Sequence, residues 1–329
     1  QQLALLQDHA EFAAYAAEVT TVFDAWRAMH RPHLLALERD DSPRELIDDL
    51  SKTLLQTFEP IRLIDRYDIY QHLMTYWTEV MQDDVFMITD EHREEDDPAS
   101  GWLAANKLRL LKGGSKEQAD LKIGKLKYVA DLIPPAIIVS RYFTEERAVI
   151  AGLEAEQDDI VQKREAMEEE HGGEGGLLEE SKSDAGNVTK GAAQARFREI
   201  EGDAEYADEL EVVSAYLDLR DIETHLGRQI RKAQKALDAQ VVEQYRALTE
   251  DEVKTLVVDD KWLATLDEAI QDELDRVVQT LTGRVRELAE RYAAPLPEIV
   301  AEADALSEKV AGHLERMGFG NAQWTRDNG

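Results

Sequence analysis

Apolar residues recur at three- and four-residue steps along most of the chain, the spacing of helices that bury one face. Leu3, Leu6, Phe12, Tyr15, Val19, Val22, Phe23 and Trp26 set the pattern at the start. Breaks are expected at Arg31-Pro32 and at Asp41-Ser42-Pro43, where Ser42 is a good N-cap and Pro43 takes the first helical position. The period shortens to β-branched alternation at VFMIT (85–89) and LKIGKLKYV (121–129), with the turn-forming DDPASG (96–101) between them. A small β hairpin or sheet is therefore expected around 85–130. Pro134-Pro135 punctuates the chain before AIIVSRYFTEE enters a long charged helix.

From 142 to 171, Ile150, Leu153, Ile160 and Met167 repeat every three to four residues, and Gln157 and Arg164 fall on the same seam. This is a coiled-coil pattern with two polar interruptions. HGGEGG (171–176) ends it, because four glycines in six positions favour a turn. After a polar stretch to about 191, a second long helix carries Leu219, Ile222, Leu226, Ile230, Ala233, Leu237 and Val241 at steps of 3, 4, 4, 3, 4 and 4. That is the repeat of a nearly straight helix pair, so the two arms are expected to fold back on each other. A third helix, from Leu263 to Tyr292, stops at APLP (294–297), and a last one runs from Ile299 to Met317 with Gly318 and Gly320 behind it.

The expected fold is mainly α, a helical domain with long antiparallel coiled-coil-like arms and a small sheet. It divides into 1–82, a helical region; 83–141, a small mixed α/β segment; 142–245, a long helical hairpin broken at 171–176; and 246–329, C-terminal helices. The first methionine, Met29, lies inside the helical pattern, so the sequence is expected to be a fragment whose upstream domain is missing. There is no signal-peptide pattern in the first residues and no apolar run long enough to span a membrane.

Charge adds two features. The 329 residues hold 38 Lys+Arg and 69 Asp+Glu, a formal net charge of −31, with no cysteine. Disulfides, thiolate catalysis and Cys-type metal sites are excluded, and the molecule as a whole repels nucleic acid and anionic lipid. Thirteen acidic and three basic residues lie between 145 and 180, the pattern of a solvated helix face. The opposite balance occurs at 107–127, where Lys107, Arg109, Lys112, Lys116, Lys122, Lys125 and Lys127 face only Glu117 and Asp120. This loop is the candidate for contacting DNA phosphates; the competing reading is a basic loop that pairs with the acidic arms.

Signatures of catalysis are missing. The sequence has no GxGxxG, GxxxxGK[ST], HExxH, GxSxG or EF-hand loop, and KGGSK (112–116) lacks the rest of a P-loop. Arg31-Pro32 is expected to keep His30 and His33 off one helix face, which disfavours a metal site. His92 lies in an acidic loop, His171 stands beside the glycines, and Trp77 and Trp102 have the spacing of core residues.

LIDRYDIYQHLMTYWTEVMQDDVFMI (63–88) closely resembles the C-terminal part of the modification (M) subunits of type I restriction-modification enzymes. The resemblance continues in order through LIPPAIIVSRYF (132–143), EEEHGGEGGLLEE (168–180), YRALTEDEVKTLVVDDKWLATL (245–266) and LTGRVRELAERYAAPLP (281–297). It implies the S-adenosylmethionine-dependent adenine-N6 DNA methyltransferase family, whose catalytic domain carries a glycine-rich cofactor loop and an Asn-Pro-Pro-aromatic motif. Neither is here; the nearest string, Ile133-Pro134-Pro135-Ala136, lacks both the Asn and the aromatic residue. A flipped adenine needs that aromatic stack and those acceptors for its amine, so this chain alone is expected to be inactive and to hold no cofactor. The resemblance further implies cytoplasmic residence in a prokaryote and docking onto the specificity (S) subunit, with a second M subunit, DNA in the assembled clamp, and restriction (R) subunits as further partners. The stripe Leu219, Ile222, Leu226, Ile230 and Leu237 is expected to pack within the arm pair or on S. The alternatives are a free-standing acidic coiled-coil protein, even a DNA mimic, and an enzyme with an unrecognised acidic metal site.

Overall fold

The computed structural model describes residues 10–39, 41–89, 101–112, 116–183, 186–292 and 296–317. It is mainly α with a small antiparallel sheet, as expected. In order come α1 (Ala10–Leu35), α2 (Pro43–Thr57), α3 (Arg66–Tyr76), a π-helical turn (Trp77–Met81), α4 (Gln82–Thr89) and the short α5 (Trp102–Ala105). The strands β1 (Leu108–Leu110), β2 (Leu121–Ile123) and β3 (Leu126–Ala130) follow, then α6 (Pro135–Tyr142) and the first arm, α7 (Thr144–His171). α8 (Lys190–Ile200) precedes the second arm, α9 (Ala207–Ala247); then α10 (Glu250–Thr255), a π-helical stretch (Leu256–Leu263), α11 (Ala264–Arg291) and α12 (Leu296–Arg316). No helix among the described residues is long and apolar enough to cross a membrane.

Two expectations need correction. VFMIT is the end of a helix, with Asp84, Val85, Ile88 and Thr89 buried at helical spacing. The incoming helix from Arg66 carries these β-branched residues, so local context overrides their strand preference. Arg31-Pro32 does not end α1 either: Pro32 lies inside it at the loss of one i→i−4 hydrogen bond, and the last turn continues, with the Ala36 N–H donating to the Pro32 carbonyl at 3.1 Å. Residues 90–100, with most of DDPASG and His92, lie outside the described residues, as do Leu3, Leu6, Gly113 to Ser115, Gly318 and Gly320.

The chain forms two compact units, one of Gln1–Ala28, Asp49–Thr75 and Leu266–Gly329, the other of Met29–Asp48 and Tyr76–Thr265. The segment 1–82 thus contributes to both. In the first unit Val19, Phe23, Trp26, Leu50, Leu54, Phe58, Ile69, Leu73, Ile270 and Leu274 are buried. The Trp26 indole N–H donates to Thr53 Oγ1 at 3.1 Å. On α11, Glu273 is buried, takes the Arg276 guanidinium and lies 3.8 Å from His72 on α3.

In the second unit the π-helical stretch turns Asp259 and Asp260 outward and Lys261 and Trp262 inward. Asp259 receives both arms of the Arg31 fork at 2.6 and 2.7 Å, and Asp260 receives Arg141 at 2.6 Å. Inside, the Lys261 ammonium donates to Asp84 Oδ2 at 2.6 Å and to the Leu132 carbonyl at 2.5 Å, while the Trp262 indole donates to the same Asp84 oxygen at 2.8 Å. Burial pushes the Asp84 carboxyl up and the Lys261 ammonium down, and their mutual attraction opposes both shifts.

The arms lie antiparallel, α9 along α7. Both polar seam residues have partners across the pair: Gln157 donates to the Glu223 carbonyl at 3.2 Å, and Arg164 sits between Glu168 and Glu223. At the tip, Leu178, Ala193, Val213 and Tyr216 form a separate core. HGGEGG reaches it by a tight reversal in which a Cβ on Gly176 would fall 2.2 Å from the His171 carbonyl oxygen, and Gly175 has φ 77°. Tyr216 donates to Glu168 Oε1 at 3.0 Å, and burial beside that carboxylate pushes its phenol up to about 12.

Replacing Lys261 with Met strands the Asp84 charge and is expected to cost about 3–5 kcal/mol in denaturant unfolding of the whole chain. The Asp84→Leu/Lys261→Met pair recovers only part, since the Trp262 N–H and Leu132 carbonyl lose their partners; an unchanged midpoint in the single variant would contradict the role given to the pair. The Arg276 guanidinium holds the Glu273 carboxyl below its ordinary 4.5. Its contribution is therefore full above that value and lost as pH falls through the lower folded one. The melting-temperature gap between wild type and Glu273→Gln is expected to be present at neutral pH and to close under acid; a constant gap would contradict it.

Candidate nucleic-acid interface

The basic segment folds into the three-stranded sheet, strand order β1-β3-β2, both pairs antiparallel. Leu121 faces Tyr128, Lys122 faces Lys127 and Ile123 faces Leu126 across a two-residue turn, Gly124-Lys125. Gly124 at φ 62° supplies the left-handed backbone that such a turn requires. On the other edge Leu108, Arg109 and Leu110 pair with Ala130, Val129 and Tyr128.

Residues opposite each other in an antiparallel pair share a face. One face of the sheet is thus Leu108, Leu110, Leu121, Ile123, Leu126, Tyr128 and Ala130. On this face Leu121 is buried at the root of the arms, where with Val139, Ile150, Leu237 and Val241 it lines a groove of about 530 Å³, while Leu110 and Leu126 are 51 and 47% exposed. The other face carries Arg109, Lys122 and Lys127 alongside the buried Val129, with Lys107, Lys112, Lys116 and Lys125 exposed on the flanking loops and turn.

These cations differ in what they touch. Arg109 is held by two carboxylates, Glu117 at 2.6 and 3.0 Å and Asp131 at 3.0 Å. Glu117 and then Asp131 raise the guanidinium further above its ordinary range, and Arg109 in turn lowers the Glu117 carboxyl. None of the six lysines holds an ion pair among the described residues. Lys122 and Lys127 stand directly opposite each other, an arrangement that costs sheet stability. In a chain of charge −31, these six lysines, without a carboxylate partner among the described residues, make the sheet and its loops locally cationic, a candidate surface for phosphate.

The candidate helix stripe is mostly internal. Leu226 and Leu237 are buried, Leu219 and Ile230 half-buried, and Ile222 is 41% exposed. The periodicity alone did not reveal that the larger free apolar stripe lies elsewhere, on α12, where Ile299, Leu306, Val310 and Met317 are 47, 54, 57 and 71% exposed.

Trp77 and Trp102 are core residues; the Trp102 indole donates to the Leu37 carbonyl at 2.9 Å and its ring lies 6.1 Å from that of Trp262. His30 is buried and His33 exposed, and no group of three or more metal-ligating side chains occurs among the described residues. His171 is half-buried at the end of α7. No family model, curated protein or solved structure matches the chain.

Lys122→Glu turns a repulsive cross-strand pair into an attractive one. It is expected to stabilise the protein by about 0.2–1 kcal/mol in thermal unfolding; a clear loss of stability would mean that Lys122 has a structural partner.

Proposed function

We propose that this chain is the non-catalytic C-terminal helical region of the modification subunit of a type I restriction-modification adenine-N6 DNA methyltransferase. Its work is assembly with the specificity subunit and help in clamping DNA. The lysine face of the sheet carries this reading: cations without a carboxylate partner among the described residues, two of them kept opposite each other at a cost to the strand pair, fit phosphates on a duplex. The arms add a helical surface for a partner, and their acidic faces keep DNA off the rest of the molecule. S-adenosylmethionine and the reacting base belong to the catalytic domain of the full subunit, with a second M subunit and the R subunits as further members of a cytoplasmic prokaryotic assembly.

Two measurements test this. Light-scattering size-exclusion chromatography of the chain mixed with the specificity subunit encoded beside it is expected to give a stable complex; separate elution would count against the assembly role. Anisotropy titrations of duplex DNA with the assembled enzyme are expected to show weaker binding for Lys122→Glu/Lys127→Glu. The slope of log affinity on log salt should be shallower by about 1 for each phosphate that is no longer neutralised. An unchanged slope sinks the phosphate role.

A further inference from the structure

The last helix, α12, presents an apolar stripe that nothing among the described residues covers. Ile299, Leu306, Val310 and Met317 lie along it at helical spacing, and each is between 47 and 71% exposed. A run of this length on an otherwise charged helix marks an interaction surface rather than scattered surface apolar groups.

The charges beside the stripe indicate what covers it. On a helical wheel Glu298, Glu302, Lys309 and Arg316 follow one another along a single edge, acidic in the first half of the helix and basic in the second. Such edge positions set orientation and partner choice when two helices pack through an apolar seam. Two copies side by side in parallel would set this edge against the opposite edge of the mate, where Val300, Ser307 and Leu314 offer no charge. Turned antiparallel, each acidic half meets the basic half of its mate. The same arrangement closes the seam: about a two-fold axis beside residue 308, Leu306 meets Val310, Ile299 meets Met317, and the polar His313 meets Ala303, the smallest side chain on the stripe. The helix carries five carboxylates against Lys309 and Arg316, a balance that repels an anionic membrane surface.

We infer that α12 pairs antiparallel with α12 of a second copy of this chain, through the Ile299–Met317 stripe and reciprocal Glu302–Arg316 contacts. The association needs neither DNA nor another kind of subunit.

Sedimentation velocity of the full chain over a wide concentration series tests this. The wild type is expected to pass from monomer to dimer, and Leu306→Glu to stay monomeric with unchanged helix content by circular dichroism. Glu302→Lys and Arg316→Glu are each expected to weaken self-association about tenfold, since both symmetric contacts turn repulsive. Mixed in equal amounts, those two variants should form a heterodimer tighter than either alone, because every reversed charge then meets its opposite. A wild type that stays monomeric throughout, a Leu306→Glu chain that still dimerises, or a mixture no tighter than its components overturns the proposal. So does a monomeric wild type whose capture of the specificity subunit is lost in Leu306→Glu, which gives the stripe to that subunit instead.

Discussion

Lys261 is a charge taken out of water, and the second compact unit is arranged so that it is never left alone. Its counter-ion comes from α4, its second acceptor from the Leu132 carbonyl ahead of α6, and the neighbouring Trp262 indole shares the same Asp84 oxygen. Three stretches far apart in sequence, the π-helical turn among them, are thereby fixed against one another. Moving any of them exposes an uncompensated charge to an apolar interior, a far larger cost than uncovering one apolar side chain. The outward carboxylates of the same stretch, Asp259 and Asp260, fasten α1 and α6 from the solvent side.

The sheet rests on that frame and is small enough to need it. Three short strands cannot bury both faces, so Leu121 lies on the arm root and the cationic side chains are left to solvent. Along the arms the polarity is reversed. Most carboxylates point outward while Gln157 and Arg164 turn inward and find partners across the pair, fixing which residues of α7 meet which residues of α9. One polypeptide thus separates its charge, with a local cationic face in a chain whose long arms are acidic.

Much of this was legible in the sequence, for reasons that differ by element. The arms were, because a long apolar repeat has few other solutions, and HGGEGG was, because Gly176 sits where a Cβ cannot fit. The β2–β3 hairpin was legible from alternation around Gly124. The strand β1 was not: three residues, LRL, carry no period, and it exists because β3 has a free edge. VFMIT misled because its β-branched residues prefer strands in isolation and lie at the end of a helix begun far upstream. Neither π-helical segment nor the Asp84–Lys261 pair leaves a local pattern, since both depend on what arrives from elsewhere in the chain. For the candidate site, the lysines were visible as a cluster, but only the strand register distinguishes the occupied Arg109 from the lysines opposite each other. Of the two apolar stripes, periodicity could not say which is buried.

The arms also have a mechanical consequence. A helix of 28 residues spans about 42 Å, and α7 is fixed at one end by the packing around Ile138 and Ile150 while its other end carries the small core of Leu178 and Tyr216. A rod of that length turns a rotation of about 5° at its root into a displacement of about 4 Å at its tip. Gln157 and Arg164 couple it to α9 across the arm pair. A molecule gripping the tip would sense small changes in angle at the sheet as movements comparable to a helix turn.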